Sequence, residues 1–255
     1  MRLATFNILH GRSPQRDRVD VARFAEAVRF LDADVLALQE VDRNQERSAH
    51  ADLTAIAADA MGATEHRFVA ALSGTPGATW LAATGTESPD AAGYGVALLS
   101  RYPVSAWETV RLPAVRTPIP MTFPGRRRPV LVRDEPRVAV AAVVDTPRGQ
   151  VTVANVHLTF VPGWNAHQLR RLLGVLRTAT CPVVLMGDLN MDVRRATRVS
   201  GLQPLALAPT FPVDDPVTQL DHILTDDVAG LAASGGVGAA HRLPLSDHRA
   251  LSVDL

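Results

Sequence analysis

Apolar residues recur along this chain with two periods. Val21, Phe24, Ala25, Val28 and Leu31 keep to one helical face, so Val19 to Leu31 is read as a helix. Leu53 to Met61 is read as a second, closed by Gly62, because glycine takes the left-handed turn that ends helices without steric cost. A third is expected from Asn165 to Thr178. The other apolar runs are short and bounded by turn residues, the signature of strands. They cover Arg2 to Leu9, Asp34 to Gln39, Phe68 to Leu72, Gly95 to Leu99, Pro103 to Leu112, Arg137 to Asp145, Gln150 to Leu158 and Pro182 to Met186. Further strands are expected near Leu220 to Leu224 and Ala250 to Val253, and Thr146-Pro147-Arg148-Gly149 reads as a hairpin turn.

Strand–helix–strand units at the start, followed by antiparallel hairpins, predict sheets covered by helices in one α/β (α+β) domain over residues 1–255. The final third reads as loop-rich. Pro113 to Pro136, with six prolines and the triplet Arg126-Arg127-Arg128, is expected to be the least structured stretch. No linker divides two cores, and no fixed period repeats.

Composition narrows the class. The 255 residues carry 26 basic and 26 acidic side chains for zero net charge, and every basic one is arginine. Hydrophobic residues at 47% and charged residues at 20% exclude disorder, collagen and coiled coil. Zero net charge argues against a protein that coats nucleic acid, but leaves room for an enzyme that touches a few phosphates. The single cysteine, Cys181, allows neither an internal disulfide nor a cysteine-rich zinc site, and is read as a packing residue. No run reaches the ~18 apolar residues of a membrane span. Met1-Arg2-Leu3-Ala4-Thr5-Phe6-Asn7 runs straight into a strand rather than a signal peptide. A cytoplasmic, monomeric protein is expected.

Chemistry enters where the apolar strands finish. Asn7 ends Leu3-Ala4-Thr5-Phe6, Glu40 ends Val35-Leu36-Ala37-Leu38-Gln39, and His157 ends Val153-Ala154-Asn155-Val156. Asp188 and Asn190 follow Val183-Val184-Leu185-Met186-Gly187, Asp221-His222 lie before Ile223-Leu224, and Asp247-His248 precede Arg249-Ala250-Leu251. Sheets bring strand ends to a common edge, where loops build active sites. Each residue alone has a plain structural explanation: Asn7 caps a turn, Glu40 and Asp42 sit in a solvated loop, a lone histidine packs. Together they end six separate segments in carboxylates, amides or imidazoles, and that convergence points to one pocket.

These segments resemble the endonuclease/exonuclease/phosphatase superfamily, which includes DNase I, abasic-site endonucleases, neutral sphingomyelinases and inositol polyphosphate 5-phosphatases. The matching runs are Thr5-Phe6-Asn7, Leu38-Gln39-Glu40-Val41-Asp42, Gly95 to Arg101, Glu135-Pro136-Arg137, Asn155-Val156-His157-Leu158, Gly187-Asp188-Leu189-Asn190, Leu220-Asp221-His222-Ile223 and Ser246-Asp247-His248, in the family's order. The resemblance implies a four-layer sandwich, two packed mixed sheets flanked by helices, with the active site along one edge. It implies a hydrolase that cleaves a phosphate ester, foremost a phosphodiester, by in-line attack of an activated water. Glu40 would be the principal ligand of Mg²⁺ or Mn²⁺, with Asn7 beside it and Asp247 as a further carboxylate, since hard oxygen donors favour those ions over zinc. His248 resembles the base histidine, oriented by Asp221. Asp188 and Asn190 resemble the pair that positions water and phosphate, His157 the group serving the leaving side, and Arg137 a contact to a phosphate oxygen. Glu40 and Asp188 are expected at a water-accessible edge, and Tyr94 and Trp164 as packing residues near the motifs.

The substrate stays open among nucleic acid, inositol phosphate and phospholipid headgroup. His157 stands where abasic-site endonucleases generally carry tyrosine, which counts against that repair role. The seven arginines from Arg111 to Arg137 suit either a polyanion contact or a solvated loop. The alternatives are a phosphomonoesterase acting on a small metabolite or inositol phosphate, and a non-catalytic binding protein on the same fold. Intact Glu40, Asp188, Asn190 and His248 argue against the second.

Overall fold

A computed structural model describes residues 1–13, 18–122, 128–234 and 236–255. The main strands are β1 (Arg2–Asn7), β2 (Val35–Arg43), β3 (Glu65–Gly74), β4 (Trp80–Ala82), β5 (Gly93–Ser100) and β6 (Val104–Leu112) in the first half. They continue as β7 (Arg137–Thr146), β8 (Gly149–His157), β9 (Val183–Asp188), β10 (Gln203–Pro204), β11 (Asp221–Thr225), β12 (Val237–His241) and β13 (Ala250–Asp254). They form a seven-stranded sheet, β12-β13-β1-β2-β5-β3-β4, and a six-stranded sheet, β10-β11-β9-β8-β7-β6. Each sheet holds one parallel pair near its middle, β1–β2 and β8–β9.

Strand alternation explains the stacking. Leu3, Val35, Ala37 and Leu98 of the first sheet meet Val138, Val140, Val153, Val184 and Met186 of the second in a buried inter-sheet core. The alternate residues face outward. Ala4, Phe6, Leu36 and Leu38 lie under α1 (Val21–Leu31) and α2 (Leu53–Met61). Ala139, Ala154, Val156 and Leu185 lie under α3 (Trp164–Leu176) and α4 (Val193–Ser200). This is the four-layer sandwich that the resemblance implied. Asp20 and Asp52 cap α1 and α2 through their side chains, so α1 starts after Val19. Gly62 closes α2 at φ 67° as expected.

Several expectations need correction. The final third is loop-rich and holds the two expected strands, but also α4, capped by Asp192, and the edge strand β12, which the apolar pattern does not predict. The proline-rich stretch contains an antiparallel ribbon, Ile119–Met121 on Val130–Val132, while Arg126 and Arg127 fall outside the described residues. Asp42 is not in a solvated loop; it is buried and takes two bonds from Arg47, at 2.7 and 2.8 Å. Cys181 packs with its Sγ 3.0 Å from the Thr152 hydroxyl. Among the described residues, no helix is long and apolar enough to cross a membrane.

Candidate active site

The pairing of β2 with β5 slips between Gln39 and Val41, and the extra residue, Glu40, takes φ 57°. Simple alternation would send Glu40 outward with Leu36 and Leu38. The bulge turns it inward instead and sends Val41 into the core beneath α1 and α2. A second device brings up β9. A Cβ on Gly187 (φ 134°) would lie 1.9 Å from the Val156 carbonyl oxygen, so glycine lets β9 close onto β8. His157 then pairs with Asp188, and Asp188 with Asp221, giving one row across β8, β9 and β11. Asn190 and Ser246 also take left-handed backbone, at φ 49° and 70°, and such conformations in non-glycine residues cluster at functional sites.

Asn7 joins the two sheets' contributions. Its Nδ2 donates to Glu40 Oε1 and to Asp188 Oδ2, both at 3.1 Å, while its Oδ1 accepts from Leu9 N. Asp188 accepts from Asn190 N through its other oxygen, and Asn190 Nδ2 donates to Leu158 O. His157 Nε2 lies 3.5 Å from Asp188 Oδ2, and its Nδ1 is 3.5 Å from Arg137 Nη1. His248 Nδ1 meets Asp221 Oδ2 at 2.8 Å, and its Nε2 is 3.9 Å from Asp188. Asp247 is half-buried and acts electrostatically on both Glu40 and His248. Every residue expected from the sequence therefore gathers at one sandwich edge. Asp188, however, is only 1% exposed and forms the floor, not a water-accessible rim; Glu40 is half-buried.

Supporting residues complete the site; Ser246 belongs to a matching run, while Thr210, Phe211 and Asn165 carry no local sequence signal. Ser246 Oγ donates to Asn7 O and accepts from His248 N. Thr210 Oγ1 accepts from Asp221 N, and the Phe211 ring lies 4.9 Å from the His248 ring. Asn165, at the start of α3, donates to Asn190 O. Tyr94 lines a small cavity with Arg137 and His157, while Trp164 packs away, donating to Pro113 O.

Burial and charge set the protonation states. Burial pushes Glu40 up despite the Asn7 bond and the Arg137 charge. Burial, with Asp221 adding repulsion, pushes Asp188 up to about 7. Burial, with the Arg137 and His248 charges, holds His157 well below the ordinary histidine value and therefore neutral. Burial also opposes a charged His248, but Asp221, Asp188 and Asp247 outweigh it and push it up to about 10. The four carboxylates of the site, Glu40, Asp188, Asp221 and Asp247, thus outnumber its two cations, Arg137 and His248, and Asp221 Oδ1 has no hydrogen-bond partner. Such a donor set fits a hard divalent cation. Asp188, Asp221 and His248 place one ligand atom each within 4.8 Å of one another.

Residues 4–248 match the endonuclease/exonuclease/phosphatase family, and the chain belongs to it. The family hydrolyses phosphoester bonds and depends on divalent metal. Solved structures share the fold. A family protein from Bacteroides thetaiotaomicron is 15% identical, with TM-score 0.69 over 100% of this chain and 98% of that one. Sphingomyelinase C from Streptomyces griseocarneus is 17% identical, with TM-score 0.67 over 99% and 98%. A mannosyl-6-phosphatase from Bacteroides thetaiotaomicron is 15% identical, with TM-score 0.65 over 100% and 98%. Among curated proteins nothing matched.

Proposed function

We propose that this chain is a Mg²⁺- or Mn²⁺-dependent phosphodiesterase that cleaves by in-line attack of water. The observation that carries the reading is the His157–Asp188–Asp221 row, faced by Asn7, Glu40 and His248 of the other sheet. Glu40 and Asp247 are assigned to the metal, with Asn7 once its amide turns its oxygen inward. Asp188, Asp221 and His248 are the tighter trio, but the 2.8 Å His248–Asp221 bond already engages two of their ligand atoms. When bound, the ion supplies charge neutralisation for the phosphoryl oxygens. Asp188, one oxygen fixed by Asn190 N, orients the water and takes its proton on the other oxygen, while Asn190 orients the phosphate.

His248 is assigned differently from the sequence expectation of a base. The carboxylates that orient it also keep it protonated in the metal-free site, so it donates Nε2–H to a phosphoryl oxygen. Neutral His157, its Nδ1 facing Arg137, turns Nε2–H toward the reacting centre.

A diester is favoured by a cleft of about 870 Å³ lined by Arg43, Arg67, Arg111 and Arg171. None of the site residues lines it, but its Arg111 pairs with Val138, the neighbour of Arg137, which sets it on the Arg137 side of the site. Its guanidiniums are held by the Phe68 and Trp107 rings and by backbone carbonyls rather than by carboxylates. Glu108 and Glu87 also line it, but Glu87 is turned onto the Thr84 and Gly85 N–H groups and the Thr84 hydroxyl. Such a cleft suits a substrate that continues past the scissile phosphate. The test is a Mg²⁺/Mn²⁺ panel of bis-p-nitrophenyl phosphate, p-nitrophenyl phosphate, plasmid DNA, RNA, inositol phosphates and sphingomyelin. Higher kcat/KM on the diesters is expected; preference for the monoesters would make the protein a phosphomonoesterase, and no turnover on any would leave a binding protein.

A further inference from the structure

Beneath the site lies a tier of polar side chains that this chemistry does not use. Thr5, Gln39 and Asn155 are 0% exposed. Each stands just before a site residue on its strand: Thr5 before Asn7 on β1, Gln39 before Glu40 on β2, Asn155 before His157 on β8. Residues two apart on a strand share a face, and the Glu40 bulge does the same for β2, so tier and site face the same inter-sheet space.

The bonds of this tier run from one sheet to the other. Asn155 Nδ2 donates to Leu38 O at 2.8 Å and to Ala97 O at 2.7 Å, carbonyls of β2 and β5. Its Oδ1 accepts from Gln39 Nε2 at 2.7 Å, and Gln39 Nε2 also reaches Thr5 Oγ1 at 3.0 Å. Leu38 and Ala97 are register partners immediately ahead of the pair at which the ladder slips into the Glu40 bulge. The buried core around this tier is valine, leucine, isoleucine, alanine and methionine, which packs without directional bonds. Yet the site is divided between the sheets, with Asn7, Glu40 and His248 on one and His157, Asp188 and Asp221 on the other. Ligand and water positions must hold to about 0.5 Å, and an aliphatic interface alone does not fix one sheet against its neighbour that closely.

We propose that Asn155 is a positioning residue that fixes the register between the two sheets and holds the Glu40 bulge, so that Glu40 meets the Asp188 half of the site. The inference rests on the assignment of Glu40 as a metal ligand. Its test is the Mn²⁺ dissociation constant of the metal-stripped protein, measured by calorimetry without substrate. Asn155→Leu keeps nearly the same size and removes all three bonds. Val140→Ala, in the same inter-sheet core, is the control for general loss of stability. Asn155 bonds no ligand itself and acts on Glu40 through the Leu38 and Ala97 carbonyls. Asn155→Leu should therefore weaken Mn²⁺ binding about tenfold, the low end of what loss of a ligand's own hydrogen-bond partner costs, while the control stays near wild type. Weakening no greater than the control's would overturn the proposal. Should Asn155→Leu not fold, Gln39→Leu breaks the tier from the other sheet and is read against the same control. Glu40→Gln separates the two claims. If it leaves Mn²⁺ binding intact, the ligand assignment is wrong; if it abolishes binding while Asn155→Leu tracks the control, only the positioning role is.

Discussion

Asp188→Asn should stabilise the metal-free protein at alkaline pH while removing turnover. The Asp188 carboxyl is buried, and its pKa is raised from 3.8 to about 7, burial being the main cause and Asp221 a further one. A carboxyl raised in this way binds a proton in the folded state that the unfolded chain releases. Stability present below pH 3.8 is therefore lost as pH rises through that window to about 7. The whole displacement corresponds to about 4 kcal/mol. The attraction of His248 is already contained in that displacement, and because the two groups titrate together roughly 2–3 kcal/mol is attributed to the Asp188 charge alone. Asparagine carries no charge and keeps an oxygen for Asn190 N, but its NH₂ meets Asn7 Nδ2, so one amide must turn at about 1 kcal/mol. The net gain is about 1–2 kcal/mol, or roughly 2–8 °C in Tm for a chain of this size. Calorimetric melts of both proteins in EDTA at pH 8 and pH 4.5 read it directly. The gain should appear at pH 8 and vanish at pH 4.5, with kcat reduced about 10²–10⁴-fold. A Tm lowered equally at both pH values would show that Asp188 is a structural acceptor and that the charge argument is wrong.

Four further outcomes follow from the same geometry. Mn²⁺ at about 100 times its dissociation constant should add about 2.7 kcal/mol, seen as a Tm rise that Glu40→Gln abolishes; activation by zinc alone would sink the hard-cation assignment. Arg47→Ala strands the buried Asp42 carboxylate and should cost about 3 kcal/mol in urea unfolding, with activity per folded molecule retained; an unchanged midpoint would mean the pair is idle. His248, raised to about 10, contributes stability below its ordinary value that fades as pH climbs toward 10, so wild type and His248→Gln should converge in Tm at high pH. The activity losses of His248→Gln and Asp221→Asn should combine to less than their product, because the aspartate acts through the histidine; clean multiplication would separate them.

Much of this was legible in the sequence, and the exceptions have physical causes. Strands with dense aliphatic runs, such as Val183-Val184-Leu185-Met186, are evident because both their faces are buried. α4 leaves little apolar pattern in the sequence because it buries little beyond Ala196 and Ser200 and is otherwise arginine-rich surface. β12 is Val-Gly-Ala-Ala-His, too poor in β-branched residues to register as a strand. The site residues were readable as strand endings, but their aim was not. Glu40 points inward only through a bulge, which alternation alone would place on the wrong face. Asp42 looked solvated because its partner Arg47 lies in the following loop. Thr210, Phe211 and Asn165 support the site from loops and a helix start that carry no motif, so only the fold reveals them.

The central claim, water attack on a phosphoester in a metal-loaded site organised around Asp188, has a direct measurement. Metal-stripped wild type and Asp188→Asn are each incubated with bis-p-nitrophenyl phosphate in ¹⁸O-water, with and without Mn²⁺, and the products are read by ³¹P NMR. The account predicts ¹⁸O in the p-nitrophenyl phosphate product of wild type with Mn²⁺, about 10²–10⁴-fold slower formation of that product by Asp188→Asn with Mn²⁺, and no product beyond the uncatalysed rate from either protein without metal. Turnover by wild type in EDTA, or undiminished turnover by Asp188→Asn, would contradict it.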